Sequence, residues 1–386
     1  MVAHGGGDRR ALEGLRVESL GRAPRVLVSG VVLDQPMGGV WRHNEELLPR
    51  VADLLAAAGG GLSLLVGRGG LARALPSVRR LTCDVPSRPL ALRPFREARA
   101  LNAALREAAG RGAPFDLVHV GHLPAPRGLT VPRTQTIHDL RSVDLPEHTP
   151  FSRRLVAKSV VGRALEGAAG VFTVSEHVAG RLRAGWPGVA GKLAVIPNAG
   201  DHLRALPRSP GPQAPILHVG HVEPRKNLGL VVRALAAAPD LPDLVLAGSA
   251  KGDEAERLRT RARGLGIEDR VRFEGAFDDA ELPELLATCA AVVLPSRLEG
   301  FGIVALEAVG AGCPLALSDI GPHREVVPEG GAWFDPDDLD GCVAALRAAC
   351  GGQAPPAPVR HRWGDSAERL ARGWAAALER CAGRSA

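Results

Sequence analysis

The sequence predicts two doubly wound α/β domains. Three observations carry that expectation: short apolar runs alternate with helix-periodic segments, the alternation runs through twice, and a Pro-rich stretch separates the two passes. A chain of 386 residues is long enough for two domains, and a hydrophobic content of 45% can fill two ordinary cores. The boundaries read as a flexible N-terminal extension over 1–24, a first Rossmann-like domain over 25–205, a second over 206–362, and a final helix over 363–386.

In the first pass, Met1–Arg22 is rich in Gly and charge and has no signal-peptide core, so it reads as a loose extension. Arg25–Val32 (RVLVSGVV) reads as a buried strand. Gly38 and Gly39 follow in a loop, and Val40–Ala58 is helix-periodic. Strand, glycine loop and helix open a Rossmann-like unit. On these residues alone the glycine pair serves equally as a tight turn or as a ligand loop. Leu62–Val66 and Leu117–Val120 are further strands. Between them, the helix-like Arg88–Arg111 carries Arg88, Arg93, Arg96, Arg99, Arg106 and Arg111. A solvated face is the plain reading of these charges, and contact with an anionic membrane surface is the alternative.

Gln135–Ile137 ends a strand at His138 and Asp139. A polar pair at the carboxyl end of such a strand points into the ligand crevice of a doubly wound sheet. His119 and His122 also end a strand and rank below His138. Val171–Val174 is a strand, and Ser175 reads as the cap of the next helix. Ser175-Glu176-His177 is not read as a hydrolase site, because adjacent side chains diverge and no G-x-S-x-G elbow is present. Leu193–Ile196 is the last strand of this pass, and Pro197–Gly211 the linker.

The second pass opens with the strand Pro215–Val219, the segment His221–Asn227 and the helix Leu228–Ala237. Arg225 and Lys226 lie in the loop entering that helix, expected to be exposed, where two cations suit a diphosphate. Leu244–Ala247 and Val271–Phe273 are strands. Phe277 follows, either to stack on a ligand ring or to fill a core. Glu281–Thr288 is a helix, and Ala291–Leu294 and Leu315–Leu317 are strands. Asp335, Asp337, Asp338 and Asp340 precede the helix Cys342–Ala349 and read as helix-start acids rather than metal ligands. Trp363–Leu378 is an amphipathic final helix.

The most informative stretch is Pro295–Val309 (PSRLEGFGIVALEAV). Glu299 stands at the mouth of a turn made by Gly300, Phe301 and Gly302, where glycine lets a backbone approach a ligand closely. A helix starts at Ile303 and Val304, and its first N–H groups suit an anion. Glu307 lies one to two turns on. Carboxylates that only accept hydrogen bonds suit sugar or ribose hydroxyls.

This stretch resembles the E-x7-E signature of retaining glycosyltransferases of the GT-B fold, family four. GHVEPRKNL at Gly220–Leu228, TIHDL at Thr136–Leu140, FTVSEH at Phe172–His177, IPN at Ile196–Asn198 and MGGV at Met37–Val40 match in the family's order, from about Val26 onward. The resemblance implies two Rossmann-like domains facing across a cleft, with the final helix crossing back to the first. It implies retaining, metal-independent transfer of a hexose from a nucleotide-diphosphate sugar to a glycan, lipid-linked or small-molecule acceptor. The wording of VEPRKN and TIHDL favours mannose from GDP-mannose. By the same resemblance, His138 meets the transferred sugar. Glu299 holds the sugar hydroxyls and Glu307 the ribose, Arg225 and Lys226 hold the diphosphate, Phe277 lies near the base, and Gly38–Gly39 closes over the diphosphate or admits the acceptor. His221 stands where the family often has Arg or Thr.

Two other readings of this fold stay open: a nucleotide-sugar epimerase that needs no acceptor, and a non-catalytic nucleotide-sugar-binding subunit. A dehydrogenase is disfavoured, because no G-x-G-x-x-G follows the first strand. Residues 1–200 carry 27 basic and 16 acidic side chains, a balance of +11, against −5 for the remainder. That asymmetry points to an anionic partner of the first half, such as a membrane surface. Nucleic acid is disfavoured by the absence of a binding motif or interleaved aromatics. Six scattered Cys without a C-x-x-C pair read as free thiols. With no apolar run of spanning length, a cytoplasmic protein, peripheral at most at the inner face of the membrane, is expected.

Overall fold

The computed structural model describes residues 12–34, 38–71, 73–88, 92–144, 151–357 and 361–383. Met37 of the MGGV motif and residues 1–11 lie outside the described residues. The chain forms two compact units, residues 1–198 with 363–386, and residues 199–362. The first division falls seven residues before the boundary expected at 205/206.

Unit 1 is built on a seven-stranded parallel sheet in the order β3-β2-β1-β4-β5-β6-β7. Its strands are β1 Arg25–Ser29, β2 Gly61–Val66, β3 Arg79–Thr82, β4 Leu117–Val120, β5 Arg133–Ile137, β6 Gly170–Thr173 and β7 Leu193–Val195. β1, β4, β5 and β6 are buried almost throughout, as strands covered on both faces must be. The order reverses between β1 and β4, the place where such sheets open a crevice at their carboxyl ends. β3 escaped the sequence reading because its RRLT has no apolar run, being an edge strand with three of four residues exposed.

The final helix, Trp363–Ala382, belongs to unit 1 and packs on the helix Gly39–Ala57 and on β6. Trp363, Ala367, Leu370, Ala371 and Trp374 repeat at helical spacing, and all are buried. Gly373 allows the close approach, since a Cβ there would stand 2.4 Å from the Phe172 ring. Ser366 Oγ donates to the Pro197 carbonyl.

Residues 12–24 are not loose. Leu15, Val17 and Ala23 are fully buried or nearly so, and a 3₁₀ turn at Glu18–Leu20 donates its first N–H to Glu379. The glycines and charges concealed a three-point apolar anchor. The arginine helix is Arg93–Gly110. Arg88, Arg96, Arg99, Arg106 and Arg111 are exposed, whereas Arg93 is buried and donates to the Leu123 carbonyl at 2.7 Å.

Unit 2 carries a six-stranded parallel sheet, β10-β9-β8-β11-β12-β13. The strands are β8 Ile216–Val219, β9 Leu244–Ala247, β10 Val271–Gly275, β11 Ala291–Leu294, β12 Leu315–Ser318 and β13 Ala332–Phe334. Its core joins these strands to the helices Leu228–Ala237 and Leu339–Cys350. Here the order reverses between β8 and β11, whose carboxyl ends lead into Gly220–Asn227 and Pro295–Gly302. Asp338 stands at the start of the helix Leu339–Cys350, and Asp337 pairs with Arg297 at 2.5 Å. Among the described residues no group of acids, His and Cys has the arrangement of a metal site, and no helix is long and apolar enough to cross a membrane.

Candidate active site

The two loops at the unit 2 reversal meet around Glu299. Pro224–Lys226 forms a 3₁₀ turn closed by Asn227 in the left-handed region, with φ 54°, and Asn227 Nδ2 donates to the Pro336 carbonyl at 2.8 Å. The second loop is tied to the first, because Arg297 N donates to the Arg225 carbonyl at 2.9 Å. These backbone ties deliver three donors to one carboxylate. Lys226 Nζ and Ser296 Oγ reach Glu299 Oε1 at 2.6 and 2.7 Å, and Arg225 Nη1 reaches Oε2 at 2.8 Å. Arg225 also pairs with Glu223 at 2.6 Å.

Lys226 is buried, with 7% of its surface exposed, which corrects the expectation of an exposed loop. A lysine so placed needs a counter-charge, and Glu299 supplies it. Burial alone would raise the Glu299 pKa. The charges of Lys226 and Arg225 outweigh burial and hold it well below the usual carboxylate range. Glu299 is therefore ionised across the physiological range.

The helix Ile303–Gly310 starts beside this cluster. Gly302 has φ 93°, open to glycine at no cost, and its carbonyl accepts from Ala305 N at 2.9 Å. Phe301 is buried. Glu307 lies further along the helix, 4% exposed, and accepts from His202 Nε2 at 2.9 Å. Phe277 is half-buried after β10, the outer strand, and none of the Glu299 hydrogen bonds reaches it. His221 is also half-buried, and burial, with Lys251 next, lowers its pKa.

The second candidate cluster lies at the carboxyl ends of β4 and β5 in unit 1. His138 meets His43 edge to face at 4.9 Å between ring centroids, and His43 Nδ1 bonds Asn198 Oδ1 at 2.8 Å. His138 Nε2 is buried and has no protein partner. Burial, then the neighbouring His43, His119 and His122, puts its pKa well below the ordinary value, so the ring is neutral. His122 Nε2 bonds Glu97, which also accepts from Ser29 Oγ at 2.7 Å. Gly38 has φ 100° and caps the helix that begins at Gly39; both are exposed.

The structure thus brings together Arg225, Lys226, Glu299 and the start of the helix Ile303–Gly310. It adds Ser296 and His202, which the sequence reading passed over. Ser296 stands three residues before Glu299 and was within reach of a motif reading. His202 lies 105 positions from Glu307, and no local pattern announces it.

Each unit is a doubly wound sheet with its polar residues at the switch point, and this is the architecture of a two-domain GT-B glycosyltransferase. Two family profiles divide the chain in agreement: Glycosyltransferase Family 4 matches residues 37–203, and Glycosyl transferases group 1 matches residues 202–370. The chain belongs to the glycosyltransferases that join a family four N-terminal half to a group 1 C-terminal half.

Among curated relatives it is 37% identical over 195 residues to a glycogen synthase of Mycobacterium tuberculosis, covering 48% of this chain and 45% of that one. It is 28% identical over 229 residues to the O-antigen chain mannosyltransferase B of Escherichia coli, covering 55% and 59%. A D-inositol 3-phosphate glycosyltransferase of Thermobispora bispora is 28% identical, with 95% and 97% covered. The chain spans about half the length of the first two of these relatives. Among solved structures, a sucrose-phosphate synthase from Thermosynechococcus elongatus superposes with a TM-score of 0.69 at 22% identity, covering 94% and 98%.

Proposed function

We propose that the protein transfers a hexose from a nucleotide-diphosphate sugar to a hydroxyl of a glycan, lipid-linked or small-molecule acceptor, with retention at the anomeric carbon and without a metal. The observation that carries this reading is the Glu299 cluster: buried Lys226 and half-buried Arg225 converge on one carboxylate beside a helix N-terminus. When a donor binds, its diphosphate takes over Arg225, Lys226 and the N–H groups of Ile303 and Val304. Glu299, released from part of its pairing, turns to the sugar hydroxyls, while Glu307 holds the ribose. His138 and the Gly38–Gly39 turn are assigned to the transferred sugar and to the diphosphate or acceptor by the family resemblance.

In the transfer step the acceptor oxygen bonds to the anomeric carbon. The bond from that carbon to the diphosphate oxygen breaks, and the acceptor proton passes to the departing phosphate. Charge developing on the leaving group is stabilised by groups already oriented in a buried site, where each is worth far more than in water. This arrangement supplies what a divalent cation supplies elsewhere, so a chelator is expected to leave turnover unchanged. Loss of activity with EDTA, restored by magnesium or manganese, would overturn that assignment.

Mannose from GDP-mannose is the first donor to test, supported by the motif wording and by the O-antigen mannosyltransferase relative. A thermal-shift panel of nucleotide sugars, followed by donor turnover with and without glycan and lipid extracts, separates transfer from epimerisation and from binding alone. Exposed Phe95 and Leu92 beside Arg88, Arg96 and Arg99 support contact of unit 1 with an anionic lipid surface, which vesicle co-sedimentation would check.

A further inference from the structure

Resting on the donor-site reading above, we propose that His323 is a further donor-binding residue, whose Nε2 takes up a proton when a nucleotide-diphosphate sugar binds and then donates a hydrogen bond to the diphosphate. The neighbours of His323 fix its tautomer. Ser318 Oγ lies 2.6 Å from the Ser296 carbonyl, which places the hydroxyl hydrogen there. His323 Nδ1 stands 3.2 Å from that same oxygen and 3.0 Å from the Ser318 carbonyl, so Nδ1 must carry the hydrogen that the carbonyl accepts. In the neutral ring Nε2 then has only a lone pair.

That Nε2 is fully buried and has no protein partner. It faces the turn that starts the helix Ile303–Gly310: a Cβ at Gly302 would lie 3.2 Å from His323 Cδ2 and 3.8 Å from Nε2. The absence of a side chain at Gly302 therefore leaves the imidazole edge next to the helix start assigned to the diphosphate. An orphaned buried nitrogen is uncommon and calls for a partner. A phosphate oxygen and a bare imidazole nitrogen are both acceptors, so the two can meet only with a proton between them.

The surroundings decide when that proton arrives. The charges of Glu299 and Lys226 on the neighbouring loops act on the ring, and Arg225 pairs with Glu299; Arg324 on the same helix is engaged by Asp319 at 2.7 Å. In the free protein burial lowers the His323 pKa, with Lys226 adding to that and Glu299 and the Ser318 carbonyl opposing it. An incoming diphosphate adds negative charge at the ring edge and favours the imidazolium. Binding then draws one proton from solvent, and donor affinity rises as pH falls between the free and bound pKa values. The proton stands on the oxygen side of the bond that breaks, where it offsets leaving-group charge.

The test is titration calorimetry of the intact protein with UDP-glucose, GDP-mannose and ADP-glucose in buffers of different ionisation enthalpy. The phosphates of these probes are diesters and do not titrate near neutrality. The donor that binds is expected to bring uptake approaching one proton per molecule, with affinity tightening by up to about tenfold per unit fall in pH. His323→Gln carries an amide that donates without titrating. It should abolish both the uptake and the pH slope while keeping affinity at pH 7 within about tenfold. His323→Asn, checked for folding by its melting curve, is the second variant. Binding of a donor without proton uptake, or unchanged uptake in His323→Gln, overturns the proposal for His323 and leaves the donor site standing. If none of the three donors binds, the donor-site reading itself falls.

Discussion

Around Glu299 in unit 2 burial is tolerated by pairing: the carboxylate has a cation on each oxygen, and the site as a whole is charged but internally compensated. Around His138 in unit 1 burial is tolerated by neutrality. His43, His119 and His138 are held uncharged by desolvation, and the carboxylate beside them, Glu97, has buried Arg93 at 3.9 Å and hydrogen bonds from His122 and Ser29. The two environments suit different ligands. Cations held by a carboxylate can be shared with an anionic ligand, which then competes with Glu299 for them. Neutral imidazole nitrogens without partners suit hydroxyl groups, which can donate to them or accept from them.

The sharpest break of this comparison is Lys226→Ala. Turnover should fall by roughly a hundredfold or more, because a preoriented partner of the leaving group is lost. Since Lys226 is buried, stability should fall as well, by about 3 kcal/mol, as Glu299 loses one of its two cations. Donor turnover and urea unfolding report the two effects. An unchanged unfolding midpoint would show that the pairing is not what makes burial tolerable.

The neutral cluster makes a pH prediction of its own. Burial puts His43 at about 4 and His119 at about 3, below the value near 6.5 of an unfolded chain. Between those limits the unfolded state binds more protons. Stability is therefore full above about pH 6.5 and falls as the solution becomes more acid, by up to about 1.4 kcal/mol per pH unit per histidine. His218 in unit 2, at about 3, adds to the same trend. Unfolding midpoints from pH 7 to 4 should show the slope, and His119→Gln should flatten it. Equal slopes in both proteins would remove His119 from the account.

The two carboxylates of the donor site should separate by sign. Glu307→Gln is expected to weaken a free nucleoside diphosphate by about 1.5–3 kcal/mol, the cost of one charge-assisted hydrogen bond. Glu299→Gln is expected to lower turnover of the full donor yet tighten the free diphosphate several-fold, because Arg225 and Lys226 lose the anion that competes for them. Reading the sequence alone suggests no change in that affinity; the pairing seen here supplies the direction. Weaker diphosphate binding in Glu299→Gln would show that the carboxylate organises the cations rather than competing.

The alternation of strands and helices, the place of the glycine turns and the chemical types gathered in Pro295–Val309 are legible in the amino-acid order. Those are local properties: periodicity in burial, backbone freedom at Gly302, the capping of a helix by Ser175. Which charges are buried, and with whom, follows from the folded arrangement. Lys226 looks like a surface cation in the sequence and becomes a buried one because Glu299, 73 positions away, stands 2.6 Å from it. Arg93 leaves the exposed row of arginines because the Leu123 carbonyl lies within its reach. His202 carries no local signal, since its partner Glu307 lies 105 positions on, and the vacant edge of His323 is set by the turn at Gly302. Burial and pairing depend on distances between segments remote in the chain, and no window of sequence contains them.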